Sequence, residues 1–199
     1  RISVSRVETL IRDPYAIYAR RILGLRRLDP LDTEIGPAER GSVIHKILEE
    51  FVRAHPLQLT LDDLAALREI GRRHFDTLLS RPGVRAFWKP RFDDISDWFL
   101  NWDLQIRRLG TVPAGLEVAG TREFMAPAGP FMLRAIADRI DRTACGGLAI
   151  YDYKTGGNPT AAQIKAGFAP QLPLEAAIAQ AGGFAGIGPA EVAKLAFLR

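Results

Sequence analysis

Apolar residues recur at helical spacing through the first half of this chain and at strand spacing through most of the second half. Val7, Leu10, Ile11, Ile17 and Ile22 mark a first helix over residues 5–23, which Pro14 interrupts or restarts. Prolines at 30 and 37, with no period between them, make residues 29–40 a loop ending in a sharp turn at Gly41. Ile44, Ile47, Leu48, Phe51 and Val52 then form one apolar stripe over 42–54, with Ser42 as its cap and His45 at its edge. Thr60 and Asp63 open a further helix to Leu79. Pro90 opens another, in which Phe92, Ile95, Phe99, Trp102, Ile106 and Leu109 repeat every three or four positions. This pair is expected to form a helical insertion or cap over residues 60–110 of a single domain.

Residues 116–126, 131–142 and 148–154 are β-prone and are separated by Pro-Ala-Gly-Pro and Cys-Gly-Gly turns, so they read as a three-stranded meander. Two short helices are expected over 160–168 and 171–181. The strand-like run 194–198 can return to the same sheet. The predicted fold class is α/β, with a central mixed sheet flanked by helices.

Composition narrows the function classes without choosing one. At 199 residues, 47% hydrophobic and 25% charged, the chain suits one soluble domain with a single core. No apolar run approaches the ~20 residues that cross a bilayer, and no signal-peptide pattern opens the chain. The chain starts at Arg1 and stops inside a strand-like run, so it reads as a piece of something longer. Cys145 is the only cysteine, which excludes a disulfide framework or a cysteine-rich metal site within these residues and favours a cytoplasmic setting. Lysine and arginine outnumber acids 27 to 23, and the excess is mostly arginine, whose flat fork suits phosphate oxygens. That balance permits a nucleic-acid partner but does not require one.

The chemistry is densest at Tyr151-Asp152-Tyr153-Lys154-Thr155-Gly156. Strand alternation puts Asp152 and Lys154 on one face, and the glycines then release the backbone into a loop. Alone, such a pair is more often a solvated ion pair than a catalytic one. One strand earlier, antiparallel pairing through the Cys145–Gly147 turn can bring Asp138 beside Asp152, since cross-strand Cβ atoms lie ~5 Å apart. Two carboxylates so placed repel unless a cation intervenes, and magnesium prefers such hard oxygen ligands. Asp141 competes with Asp138 for the ligand role, and Asp138 is otherwise a partner for Arg139 or Arg142. Arg20, Arg21, Arg26, Arg27 and Lys165 offer a basic rim that can hold phosphates. Trp98, Phe99 and Trp102 suggest base-stacking platforms, but their helical spacing favours core packing. A sugar hydrolase using two carboxylates gives Lys154 no task.

Four elements in order, Gly41-x-x-x-His45, Asp138-Arg-Ile-Asp141, Asp152-Tyr-Lys154-Thr-Gly and Gln171 opening a helix, resemble the motif set of RecB-family nucleases in the PD-(D/E)XK superfamily. The Gln171-Leu-Pro-Leu-Glu-Ala-Ala run and the Asp13-Pro14-Tyr15 segment are most similar to AddB-type nuclease domains of bacterial helicase-nucleases that process double-strand breaks. The resemblance implies a restriction-endonuclease-like core and a magnesium-dependent deoxyribonuclease, with manganese able to substitute and exonuclease action expected. It implies metal ligation by His45, Asp138, Asp152 and the Tyr153 carbonyl, and catalytic roles for Asp138, Asp152, Lys154 and Gln171. DNA and a helicase-nuclease subunit of the AddA type are the implied partners, with no membrane. Ala135 stands where the family often has Gly, Glu175 where it often has Tyr, and Asp13 where an iron-sulfur cluster takes its first cysteine, so no cluster is expected. The alternative is a catalytically inactive DNA-binding or scaffold module. The complete His, Asp, Asp and Lys set argues against it, because only a metal is expected to hold the buried like-charged pair together.

Overall fold

The computed structural model describes residues 1–26, 28, 37–78 and 82–199, and the side chains of all these except 37, 38, 77, 78 and 82–88. The axis of the sheet is its long strand β3 (Gly129–Arg142), which follows the Ala126–Gly129 turn and interleaves apolar residues such as Leu133, Ala135 and Ala137 with charged ones such as Arg134 and Asp138. Strand β2 (Val112–Ala126) runs antiparallel along one edge of β3. The other edge is shared: β1 (Ile2–Ser3) pairs parallel at Leu133 and Arg134, and β4 (Leu148–Tyr153) pairs antiparallel from Arg139 to Arg142. Strand β5 (Val192–Leu198) closes the five-stranded sheet, parallel to β4.

Helices cover both faces, which is why all six residues of β4 are buried and why it reads as a nearly unbroken apolar run. On one face α3 (Pro37–Ala54), α4 (Leu64–Leu78) and α5 (Pro82–Arg108) bring Ile47, Phe51, Leu67 and Phe99 against Ala149 and Tyr151. On the other, α1 (Val4–Arg12) and α7 (Gln171–Gln180) bring Val4, Leu172 and Ile178 against Leu133, Ile140 and Ile150. Two short helices, α2 (Pro14–Arg21) and α6 (Ala161–Lys165), bury no residue. The mixed sheet flanked by helices is the fold class expected from the sequence, and it has the arrangement of a restriction-endonuclease-like core.

Two helix boundaries, at α3 and α5, differ from the expectation. Helix α3 begins at Pro37 rather than Ser42, with Glu39 in its first turn, so Gly41 lies inside a helix and makes no sharp turn. The reason for glycine there is tertiary: a Cβ at Gly41 would sit 2.9 Å from the Thr155 hydroxyl. Pro14 restarts the first helix, one of the two outcomes expected of it, and the Asp13 carboxylate caps α2 by accepting from the Ala16 N–H at 3.1 Å. Pro90 lies within α5 instead of opening it, because packing of Phe92 and Phe99 holds the helix through the lost backbone bond. Of the expected loop, residues 29–36 lie outside the described residues.

Candidate metal and phosphate site

Register sets the first layer of the site. Arg139 pairs with Leu116 on one side and Tyr151 on the other, and Ala137 pairs with Val118. Asp138 therefore stands level with Glu117 on β2 and Asp152 on β4, and three adjacent strands each bring one carboxylate to that level. The ladder between β3 and β4 ends at Arg139, and the next donor, the Tyr153 N–H, bonds the Asp138 Oδ2 at 2.8 Å. A side chain has replaced a backbone acceptor at the point where the two strands part.

Glu117 holds a φ of 47°, in a region that non-glycine residues seldom occupy, just beyond a register shift between Pro113 and Gly115. Leu116 packs with the α3–α5 core and Val118 with the opposite core, so β2 changes its facing at this residue. Backbone strain of this kind persists where its surroundings enforce it, and it is concentrated at functional sites.

His45 reaches the row from α3. Its Nε2 lies 2.8 Å from the Tyr153 carbonyl oxygen, and its Nδ1 lies 3.5 Å from Asp138 Oδ2 and 3.9 Å from Glu117 Oε1. Ligand atoms of His45, Glu117 and Asp138 all fall within 4.8 Å of one another. Burial is the largest influence on His45 and opposes its charge, yet bonding to Asp138 and Glu117 and the Asp138 charge outweigh it and raise the pKa to about 10. The two carboxylates thus favour positive charge where the imidazole stands. Two hard carboxylates, an imidazole and a nearby backbone carbonyl fit a divalent cation of the magnesium or manganese kind.

A second polar group adjoins the first. Asp152 is 3% exposed, and burial, then the Asp138 charge, raise its pKa against the pull of Lys154. Lys154 Nζ forms an ion pair with Asp152 Oδ2 at 2.7 Å, and it donates to Gln171 Oε1 at 3.2 Å. The Gln171 amide donates in turn to Asp152 and, at 3.2 Å, to Glu175 Oε1. Glu175 is 1% exposed. Burial first, then the Asp152 and Asp138 charges, raise its pKa to about 8 against the Gln171 bond.

The sequence-predicted residues are therefore placed in two touching groups: His45, Asp138 and the Tyr153 carbonyl in one, Asp152, Lys154 and Gln171 in the other. Glu117 was missed, because an isolated acid on a strand carries no motif and only its register with Asp138 reveals it. Asp141 is committed elsewhere, fully buried and bound by Arg139 at 2.7 and 2.9 Å. Arg142 bonds the Gly146 carbonyl, not Asp138. The expectation that only a metal restrains the carboxylates is corrected by the contacts of His45, Lys154, Gln171 and the Tyr153 N–H. Arg20, Arg21 and Arg26 are exposed and line, with Arg6, a depression of about 410 Å³. Lys165 is exposed on α6 and does not line that depression, and Arg27 lies outside the described residues.

A sequence profile described as the PD-(D/E)XK nuclease superfamily matches residues 1–199. A protein of Rickettsia bellii is 33% identical over 183 residues and one of Rickettsia conorii 32% identical over 187, both named as uncharacterized. Each alignment covers 92% of this chain but only 22% of the relative, so the chain spans about a fifth of their length.

Proposed function

The chain belongs to the PD-(D/E)XK nuclease superfamily, and on that footing we propose that it is a metal-dependent deoxyribonuclease domain that hydrolyses phosphodiester bonds as DNA ends are processed at double-strand breaks. The observation that carries this reading is the adjacency of the His45, Glu117 and Asp138 cluster to the Asp152–Lys154 ion pair. His45, Asp138, Asp152 and the Tyr153 carbonyl are the proposed metal ligands, with Glu117 added by its position. A bound magnesium or manganese ion supplies Lewis acidity to the phosphoryl oxygen and acidifies a water. Lys154 stabilises the charge that grows on the phosphoryl oxygens, and its contact with Asp152 aims it. Gln171 holds both partners of that pair at once, which fixes the ammonium without adding charge.

Arg20, Arg21, Arg26, Arg27 and Lys165 are the proposed phosphate contacts, which bind irrespective of base sequence. Exonuclease action, cytoplasmic location, the absence of an iron-sulfur cluster, an AddB-type parent and an AddA-type helicase-nuclease partner belong to the same proposal and rest on the motif resemblance. Among the described residues no helix is long and apolar enough to cross a membrane.

One observation favours a second reading, an inactive DNA-binding or scaffold module: the carboxylates have protein partners, so the fold does not need the metal. The deciding experiment incubates the chain with linear single-stranded DNA and magnesium or manganese, beside Asp152→Ala and Lys154→Ala. Cleavage by the wild type, lost in both variants, supports the nuclease. Equal products from all three overturn the assigned roles, and DNA binding without cleavage in any of them supports the scaffold.

A further inference from the structure

Lys154 lies between two depressions. On one side Gln171, Gln163 and Arg12 line a polar hollow of about 350 Å³. On the other, α3 and α5 enclose a cavity of about 440 Å³ whose walls include Ile44, Ile95, Trp98, Tyr153 and Lys154. That volume is in the ~300–1,000 Å³ range of small-ligand pockets. The charged side chains lining it, among the described residues, are Arg40, Arg91, Lys154 and Arg199 against the one carboxylate of Asp94.

Trp98 is 43% exposed there, while its neighbour Phe99 is fully buried. Trp98 stacks on Trp102 with ring planes 9° apart, and Trp102 meets Tyr151 edge to face at 5.0 Å. The exposed indole is thus braced from behind by the core. A flat aromatic face, apolar walls and net positive charge together fit a flat aromatic base joined through a sugar to a phosphate, as in a nucleotide.

We propose that this cavity receives one unstacked nucleobase of the strand whose phosphate lies at Lys154, with Trp98 as its stacking face, so that the site favours single-stranded or frayed DNA. The proposal rests on the nuclease reading. A base paired within a duplex cannot enter, because both its faces are already covered by neighbours.

The test measures binding of a labelled single strand to the full chain by fluorescence anisotropy, with calcium in place of magnesium, while one abasic position is moved along the strand. Base stacking contributes about 5- to 150-fold per base, so one abasic position is expected to weaken binding by that factor. Trp98→Ala is expected to lose the same factor on the intact strand and to become indifferent to the abasic position. Trp98→Phe retains most of the affinity, and the salt dependence is unchanged because no phosphate contact is lost. Uniform affinity at every abasic position overturns the proposal, and that arm needs no variant, so misfolding of Trp98→Ala leaves the test intact. Equal affinity for a deoxynucleoside monophosphate also overturns the assignment to a strand. Cleavage in magnesium is read in parallel: cleavage without the abasic signature overturns the pocket alone, and the abasic signature without cleavage supports the pocket and overturns the nuclease reading.

Discussion

Replacing Arg139 with methionine takes one charge from a cluster of four that water barely reaches. Arg139, Asp103 and Asp141 are fully buried. Arg139 bonds Asp141 at 2.7 and 2.9 Å and Asp103 at 2.6 Å, while Arg107 bonds Asp103 at 3.0 and 3.1 Å and the His55 carbonyl at 2.6 Å. Two guanidinium groups balance two carboxylates, and the variant leaves one negative charge uncompensated between β3 and α5. Methionine keeps much of the side chain's length against Trp102 and Tyr151, so the electrostatic loss dominates over any cavity. Removing one partner of a buried pair is destabilising by about 3–5 kcal/mol. At roughly 2–4 °C per kcal/mol for a chain of this size, the melting temperature falls by roughly 6–20 °C.

The pH dependence has a definite sign. Burial is the main cause of the raised Asp141 pKa and Arg139 opposes it, so losing Arg139 raises it further. A carboxyl whose folded pKa exceeds its unfolded value binds more protons when folded, so its penalty shrinks in acid and grows toward neutral pH. Urea unfolding of both proteins near pH 5 and pH 8 checks this, with a lowered midpoint at unchanged slope. A variant within about 0.5 kcal/mol of wild type, the ordinary range for surface substitutions, or a deficit equal at both pH values, refutes the reasoning.

Gly71→Ala sets helix propensity against packing: alanine favours the helix by up to ~1 kcal/mol, but its Cβ would lie 2.0 Å from the ring of Phe92, which is 3% exposed and has nowhere to go. Overpacking at about 1–3 kcal/mol decides the sign, so denaturant melts are expected to show net loss, and a gain contradicts the helix contact. In the metal-free protein, Glu175→Gln removes a carboxyl whose pKa rises from 4.5 to about 8, so wild type loses stability relative to the variant as pH climbs through that window. Parallel melts across the window test it, and a constant difference sinks it. Manganese uptake near pH 7 is expected to release close to one proton, because His45 is charged with a pKa of about 10 and must be neutral to ligate. Calorimetry in buffers of different ionisation enthalpy reads that proton, and buffer-independent heats exclude His45 as a ligand.

Local pattern carried much of this architecture. The switch from helical to alternating period at residues 110–116 marks the boundary between α5 and β2, and Asp152, Lys154, Asp138 and Gln171 were legible as a motif set in order. What stayed hidden depends on contacts between distant residues. Gly41 looked like a turn because its real constraint, Thr155, is far along the chain. Alternation alone did not say whether Asp138 or Asp141 faced the core, since that depends on Asp103 in another element. Glu117 entered only through strand register, and Trp98 and Phe99, one residue apart, share a period that does not tell a wall of a cavity from a core.

The most direct measurement is anomalous diffraction from crystals soaked in manganese. A peak bounded by the His45 imidazole and the Glu117, Asp138 and Asp152 carboxylates, beside the Tyr153 carbonyl, is the expected result. Manganese seated away from this cluster, or no peak at a concentration that saturates calorimetric binding, contradicts the assignment of the metal site and with it the proposed chemistry at Lys154.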